Sequence, residues 1–239
     1  MATFLLVHGA WHGAWCWAKL IPALEARGHK AVAIDLPGHG KDKTHLKDVT
    51  LETYGKAVAD AAARLPERPF VVGHSMGGAV IAATAERAPE AMRGLVFLCA
   101  FLPQNGDVMF ALAAGDAKSM IAGALIPSAD GLATSFNPSV LRDAFYADCS
   151  DADIEAAKAQ LSPQAVAPLA AAITLTAARF GSVPRDYIIC EQDRAISAGF
   201  QREMLKATPC ARIAELATSH SPFFSAPEKL ADVLHGFAA

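Results

Sequence analysis

The 239-residue chain has little of what marks several common classes of protein. It contains no run of five or more basic residues, and its 21 Lys and Arg stand against 24 Asp and Glu, for a net charge of −3. Neutralising a phosphate backbone requires clustered positive charge, so no nucleic-acid partner is expected. Long apolar runs are also missing. The hydrophobic stretches are strand-sized or broken by Gly, Pro and charge, whereas a bilayer span needs about 20 apolar residues, so no membrane partner is expected either. Near the N-terminus, Phe4-Leu5-Leu6-Val7 has no basic lead and is cut short by His8-Gly9, which does not fit a secretion signal. The five cysteines (Cys16, Cys99, Cys149, Cys190, Cys210) are odd in number, widely spaced and free of any Cys-x-x-Cys pair. That excludes the disulfide framework of a small secreted fold and points to reduced thiols in a cytoplasmic protein, with Cys99 and Cys190 buried at strand ends.

The chain is rich in core material: 53% of its residues are hydrophobic and 19% charged, too apolar a balance for disorder. Short aliphatic runs alternate with helical segments, the signature of βαβ units around a parallel sheet. The expected strands are Thr3 to Val7, Lys30 to Ile34, Phe70 to Val72, Gly94 to Leu98, Asp186 to Ile189 and Arg212 to Leu216. Several are apolar throughout, as strands covered on both faces should be. Helices are expected from Trp15 to Arg27, Leu51 to Leu65 and Ser75 to Arg87. A last helix is expected to start at the capping-box spacing Ser225-Ala226-Pro227-Glu228 and run to about Phe237. Ser150 with Asp153 has the same form and predicts a further helix start. Between Leu102 and Val183 the alternation stops, with no convincing strand, over a stretch far longer than an ordinary connection. The expected organisation is an α/β core from residues 1–102 and 183–239, with residues 103–182 forming a helical cap.

Gly73-His74-Ser75-Met76-Gly77 lies where a strand runs straight into a helix. Such a turn is sharp, tolerates only small residues two positions either side of the serine, and lifts its hydroxyl above the sheet at a helix N-terminus. The alternative, a phosphate-binding loop, lacks the lysine that a P-loop requires. A serine needs a base, and an imidazole base needs an acid to fix its tautomer. His220, in the polar loop Thr218-Ser219-His220-Ser221 after the last strand, is the expected base. Asp193, after the preceding strand, is the expected acid, with Glu191 as its rival. The chain order Ser75, Asp193, His220 is the one found in hydrolases built around this turn. The oxyanion donors are expected to be the backbone N–H groups of Met76 and Ala10, with Gly9 allowing a close approach. His8 and His12 are spaced as zinc ligands can be, but no glutamate lies between them and glycines interrupt the segment, so no metal is expected. His29 and His45 are read as solvated loop residues, His235 as a surface residue, and His74 as packing beneath the sheet end.

The segments His8-Gly9-Ala10-Trp11-His12-Gly13-Ala14-Trp15-Cys16-Trp17, Gly73-His74-Ser75-Met76-Gly77-Gly78 and Glu191-Gln192-Asp193-Arg194-Ala195-Ile196 resemble the α/β-hydrolase branch of plant methylesterases and hydroxynitrile lyases. Related bacterial carboxylesterases share the pattern, and the resemblance extends to Asp148-Cys149-Ser150-Asp151. It implies a six-stranded, mainly parallel sheet flanked by helices, an inserted helical cap and a cofactor-free Ser-His-Asp mechanism. The related lyases carry threonine where this chain has Gly9 and lysine where it has Ser221, which favours ester hydrolysis over cyanohydrin cleavage. His220-Ser221 also departs from the His-Met often found in the methylesterases. The expected activity is therefore a serine carboxylesterase acting on neutral, moderately bulky esters, as a monomer or homodimer. A hydroxynitrile lyase and a ligand-binding relative with a vestigial triad are the alternatives. Gly9, Phe101, Met109, Phe110, Met120, Phe136, Phe145 and Phe180 are candidate pocket residues, with Phe101 foremost because it follows a strand end.

Overall fold

The computed structural model describes residues 1–239. Its strands and helices follow in chain order. The first half comprises β1 (Thr3–Val7), α1 (Leu20–Glu25), β2 (Lys30–Ile34), α2 (Leu51–Ala63), β3 (Phe70–His74), α3 (Gly77–Arg87) and β4 (Gly94–Leu98). The inserted segment contributes α4 (Met109–Gly115), β5 (Leu125–Pro127), β6 (Ala133–Phe136), α5 (Leu141–Phe145), α6 (Asp151–Lys158), β7 (Gln164–Ala165) and α7 (Val166–Ala170). The chain closes with β8 (Arg185–Cys190), α8 (Ala198–Ala207), β9 (Arg212–Leu216), α9 (Pro222–Ser225) and α10 (Pro227–Ala238).

Six strands form one sheet in the order β2-β1-β3-β4-β8-β9, and every pairing is parallel. The inner strands β1, β3 and β4 are buried at every position. Successive side chains of a strand point to opposite faces, so full burial requires helices on both sides. Two hydrophobic clusters result. The smaller joins Phe4, Leu6, Val72 and Val96 to Trp17, Leu24, Phe223 and Leu234. The larger joins Leu5, Val71 and Phe97 to α2 and α3 and continues into Phe136, Tyr146 and Leu169 of the inserted segment. The insertion thus shares the core of the sheet. Strand order reverses at β1, whose successors in sequence lie on either side of it. Such a switch point opens a crevice beyond the C-terminal strand ends. No helix is long and apolar enough to cross a membrane.

Four local expectations are corrected. The inserted segment contains an antiparallel sheet, β5-β6-β7, where no strand was expected. Its strands are two to four residues long, too short to display alternation. The expected helix from Trp15 to Arg27 is divided into a 3₁₀ turn at Ala14–Trp17 and α1. Pro22 accounts for the break, since proline is accommodated only in the first turn of a helix. The Ser225 capping box does not form: Ser225 bonds back to the Ser221 carbonyl, and α9 and α10 each start at their own proline. Finally, His29 is buried, accepting the Ala2 N–H at 3.2 Å and meeting the exposed His235 at 2.9 Å. The Ser150 cap does form, accepting from the Asp153 N–H, and Cys99 and Cys190 are buried free thiols.

Candidate active site

Four loops at the C-terminal strand ends, after β1, β3, β8 and β9, carry the site. The turn between β3 and α3 places Ser75 at φ 55°, a left-handed conformation that costs a non-glycine residue about 1–3 kcal/mol. Its neighbours show why the turn is glycine-rich. A Cβ on Gly73 would lie 2.5 Å from the Gly77 carbonyl oxygen, and one on Gly77 2.8 Å from that of Val7. The turn is therefore packed directly against the end of β1.

Asp193, after β8, and His220, after β9, meet with their side chains shut off from solvent. Nδ1 of His220 donates to Asp193 Oδ2 at 2.6 Å. The other carboxylate oxygen accepts the N–H groups of Ala195 (2.7 Å) and Ile196 (2.9 Å), and Gln201 donates to Oδ2 at 3.2 Å. This accounts for the acceptor capacity of the carboxylate and leaves the imidazole in the Nε2-acceptor tautomer. His220 Nε2 is buried without a hydrogen-bond partner, so no bond to the Ser75 hydroxyl is formed in this state. Glu191, the rival acid, instead pairs with Arg202 at the surface.

The backbone of His220 is fixed from beneath. His74 donates Nε2–H to the His220 carbonyl at 2.8 Å, and Cys99 Sγ lies 3.5 Å from the same oxygen. Burial pushes the Cys99 thiol up and the His74 imidazole well below its usual value, keeping one a thiol donor and the other neutral. His74, Cys99 and His220 offer atoms within 4.8 Å of one another. Two of the three are committed to hydrogen bonds with the His220 carbonyl, and His220 itself is committed to Asp193, so the cluster reads as a support for His220.

The loop after β1 is held by its histidines. His8 donates to the Gly9 carbonyl at 2.8 Å and accepts the Leu36 N–H at 3.0 Å. His12 donates to the Ala10 carbonyl at 2.7 Å and accepts from the Tyr146 hydroxyl at 2.6 Å. Burial lowers both imidazoles, that of His12 to about 4, so both are neutral. Each ring has both nitrogens occupied, which removes them as metal ligands. Gly9 is pressed against the end of β3 and the turn that follows it: an added Cβ would lie 2.9 Å from Ser75 Cβ and 3.0 Å from His74 Nδ1. The N–H groups of Ala10 and Met76 have no acceptor in the protein. Free amides beside a serine are what an oxyanion site requires.

Ser75, Ala10 and Met76 all line one cavity of about 70 Å³, with 14 of its 16 lining residues hydrophobic and none charged. Of the candidate pocket residues, Phe101, Met109, Phe110 and Phe145 line this cavity, together with Trp11, Ile121, Leu125, Leu169 and Ile196. Gly9, Met120 and Phe180 are not part of its lining. Phe136 also misses the cavity. It packs against Trp11 and Phe145 at ring separations of 5.1 Å and lines a separate groove reached on the far side of Trp11. Trp11 takes the inner position because its Nε1–H is anchored on the Thr134 carbonyl at 2.9 Å.

Comparisons with known proteins place the chain and its fold in one family. Residues 4–233 match the alpha/beta hydrolase family. Methylesterase 2 of Arabidopsis thaliana is 33% identical over 250 residues, covering 98% of this chain and 95% of the relative. The crystal structure of polyneuridine aldehyde esterase superposes with a TM-score of 0.90 at 27% identity, covering 100% of both chains. A pyrethroid hydrolase from Sphingobium faniae JZ-2 superposes at 0.87 with 29% identity, covering 99% of this chain and 97% of the other.

Proposed function

The chain belongs to the alpha/beta hydrolase family, and from that premise we propose that it is a serine carboxylesterase using Ser75, His220 and Asp193. The observation that carries the proposal is the buried Asp193–His220 pair, with a free Nε2 at the same strand ends as a strained, cavity-lining serine. A hydrogen bond from the Ser75 hydroxyl to Nε2 would complete the set, and catalytic hydrogen bonds commonly tighten only once substrate is bound.

In the proposed reaction His220 Nε2 takes the Ser75 proton as Oγ adds to the ester carbonyl. The negative oxygen settles on the N–H groups of Ala10 and Met76. Asp193 stabilises the imidazolium, which then protonates the departing alcohol and leaves an acyl-enzyme. Water, deprotonated by the same nitrogen, releases the acid. No group in this sequence needs a metal or cofactor.

The uncharged lining of the cavity favours neutral esters, since a buried charge without a partner costs several kcal/mol. A volume of about 70 Å³ is well under the roughly 300–1,000 Å³ of ordinary ligand pockets. A slender group therefore fits beside the carbonyl as the site stands, and a moderately bulky ester requires the inserted segment to yield. Five free thiols, four of them buried, suit a reducing compartment. The test is a panel of neutral aryl and methyl esters beside carboxylate-bearing ones, assayed with the wild type and Ser75→Ala. Hydrolysis of the neutral esters, falling by about 10⁶ in the variant, is the expected result. Undiminished turnover by Ser75→Ala overturns the assignment.

A further inference from the structure

Two aspartates of the inserted segment are bound to the loops of the acid–base pair by the same device. Asp116, just after α4, accepts the Ser197 N–H at 2.6 Å and the Ser197 hydroxyl at 2.7 Å. Asp148, between α5 and α6, accepts the Ser219 N–H at 2.9 Å and the Ser219 hydroxyl. Ser197 stands four residues after Asp193, and Ser219 immediately precedes His220. One carboxylate thus grips the loop of the acid, and the other grips the loop of the base.

Both loops need such a grip. Residues 191–197 and 217–221 lie outside any strand or helix, and the backbone bonds that continue the β8–β9 pairing, from the Glu191 N–H to the Leu216 carbonyl and from the Gln192 N–H to the Thr218 carbonyl, both 2.9 Å, tie only the starts of the two loops, short of Ser197 and Ser219. Bonds from a carboxylate to N–H and O–H donors are charge-assisted, roughly twice as strong as neutral ones, and paired contacts also fix orientation. The grip on the acid loop is reinforced. Ser119 Oγ donates to the Ala195 carbonyl at 2.8 Å, and the Met120 N–H donates to that of Arg194 at 2.8 Å. Ser197 also caps α8, accepting the Phe200 N–H at 3.3 Å, so buried Asp116 sits at the electropositive end of that helix. On the base loop, His74 and Cys99 hold the His220 carbonyl from the sheet side while Asp148 holds Ser219 from the inserted segment. The acidic cluster around residue 150 therefore divides its work: Ser150 starts α6, and Asp148 faces the site loop.

We propose that Asp116 and Asp148 are positioning residues that set the Asp193–His220 pair from the inserted segment, so that the segment is part of the scaffold of the triad as well as the wall of its cavity. The kinetic consequence rests on the esterase reading; the geometric consequence does not.

The test combines ester kinetics with the low-field proton NMR signal of the hydrogen bond between His220 Nδ1 and Asp193, recorded on the full chain without substrate. Asp148→Ala should lower kcat by about 10- to 100-fold, the scale of a small misplacement of a catalytic group, and shift or broaden the signal. KM should change by no more than about twofold, because no cavity contact is removed. Asp148→Asn should restore most of both, since its oxygen can accept the Ser219 N–H and its amide can donate to the hydroxyl. Ser219→Ala, which deletes only the hydroxyl contact, should act in the same direction and serves where Asp148→Ala does not fold. Asp116→Ala, with Asp116→Asn as its rescue, and Ser197→Ala form the matching set for the acid loop. A lower Tm with kcat per folded molecule and the proton signal both unchanged in Asp148→Ala and Ser219→Ala would overturn the proposal. Should Ser75→Ala keep full ester turnover, the esterase reading fails, while the proton signal still decides whether the aspartates position the pair.

Discussion

Oδ2 of Asp193 lies 2.6 Å from Nδ1 of His220, and its partner oxygen is taken up by two backbone N–H groups. The carboxylate cannot swing away without abandoning both amides, so the imidazole is held with Nδ1 protonated and Nε2 available. The relationship defines what each change at the site should do.

Replacing Asp193 by Asn preserves shape but reverses the polarity of the contact. The carboxamide oxygen stays with the Ala195 and Ile196 amides, its NH₂ faces His220, and the ring is driven to the opposite tautomer with Nε2 protonated. Turnover of a neutral ester should fall by about 10⁴ with little change in KM. Steady-state kinetics of Asp193→Asn check this, and a loss under tenfold would show that the tautomer is not set by Asp193.

Gly9 is a matter of space. A Cβ there would press on Ser75 Cβ and His74 Nδ1 at 2.9 and 3.0 Å, where His74 ends β3 and Ser75 opens the turn after it. The loop after β1 must give way, taking the Ala10 N–H with it. Gly9→Ala should therefore cost about 10²–10³ in kcat, the value of one oxyanion donor, with folding retained. Wild-type kinetics from Gly9→Ala would place the second donor elsewhere.

Protonation of buried histidines should set the acid limit of the fold. His8, His12, His39 and His74 are all lowered, chiefly by burial, with His12 and His39 at about 4. In the unfolded chain each takes up a proton near pH 6.5, while in the fold each stays neutral to a much lower pH. Their contribution is therefore complete above about pH 6.5 and is lost as pH falls toward 4, on the order of 3 kcal/mol for each of His12 and His39. Urea midpoints at pH 7 and pH 4.5 should show the loss, and His39→Gln should flatten the dependence. Equal midpoints for the wild type at the two values would contradict it.

Much of this was legible in the sequence, for physical reasons that particular residues make plain. Strands such as Phe70 to Val72 and Gly94 to Leu98 were readable because burial on both faces leaves them apolar throughout. The turn at Ser75 was readable because close packing admits only glycine at 73 and 77. The short strands β5 to β7 were hidden because two to four residues cannot show a period. His29 looked solvated because the partner that encloses it, His235, lies 206 residues away. Trp11 displaced Phe136 from the cavity wall through one bond to the Thr134 carbonyl, 123 residues distant, and the grip of Asp148 on Ser219 spans 71. Contacts of that kind depend on where the inserted segment comes to rest, which no local pattern encodes.

The central claim is that Ser75 is an activated nucleophile, and reaction with a fluorophosphonate followed by intact-mass and peptide analysis tests it most directly. One adduct per chain, located on Ser75, absent from Ser75→Ala and formed far more slowly in His220→Ala, is the predicted result. A wild-type protein that stays unlabelled, or carries its adduct on another residue, would contradict the account.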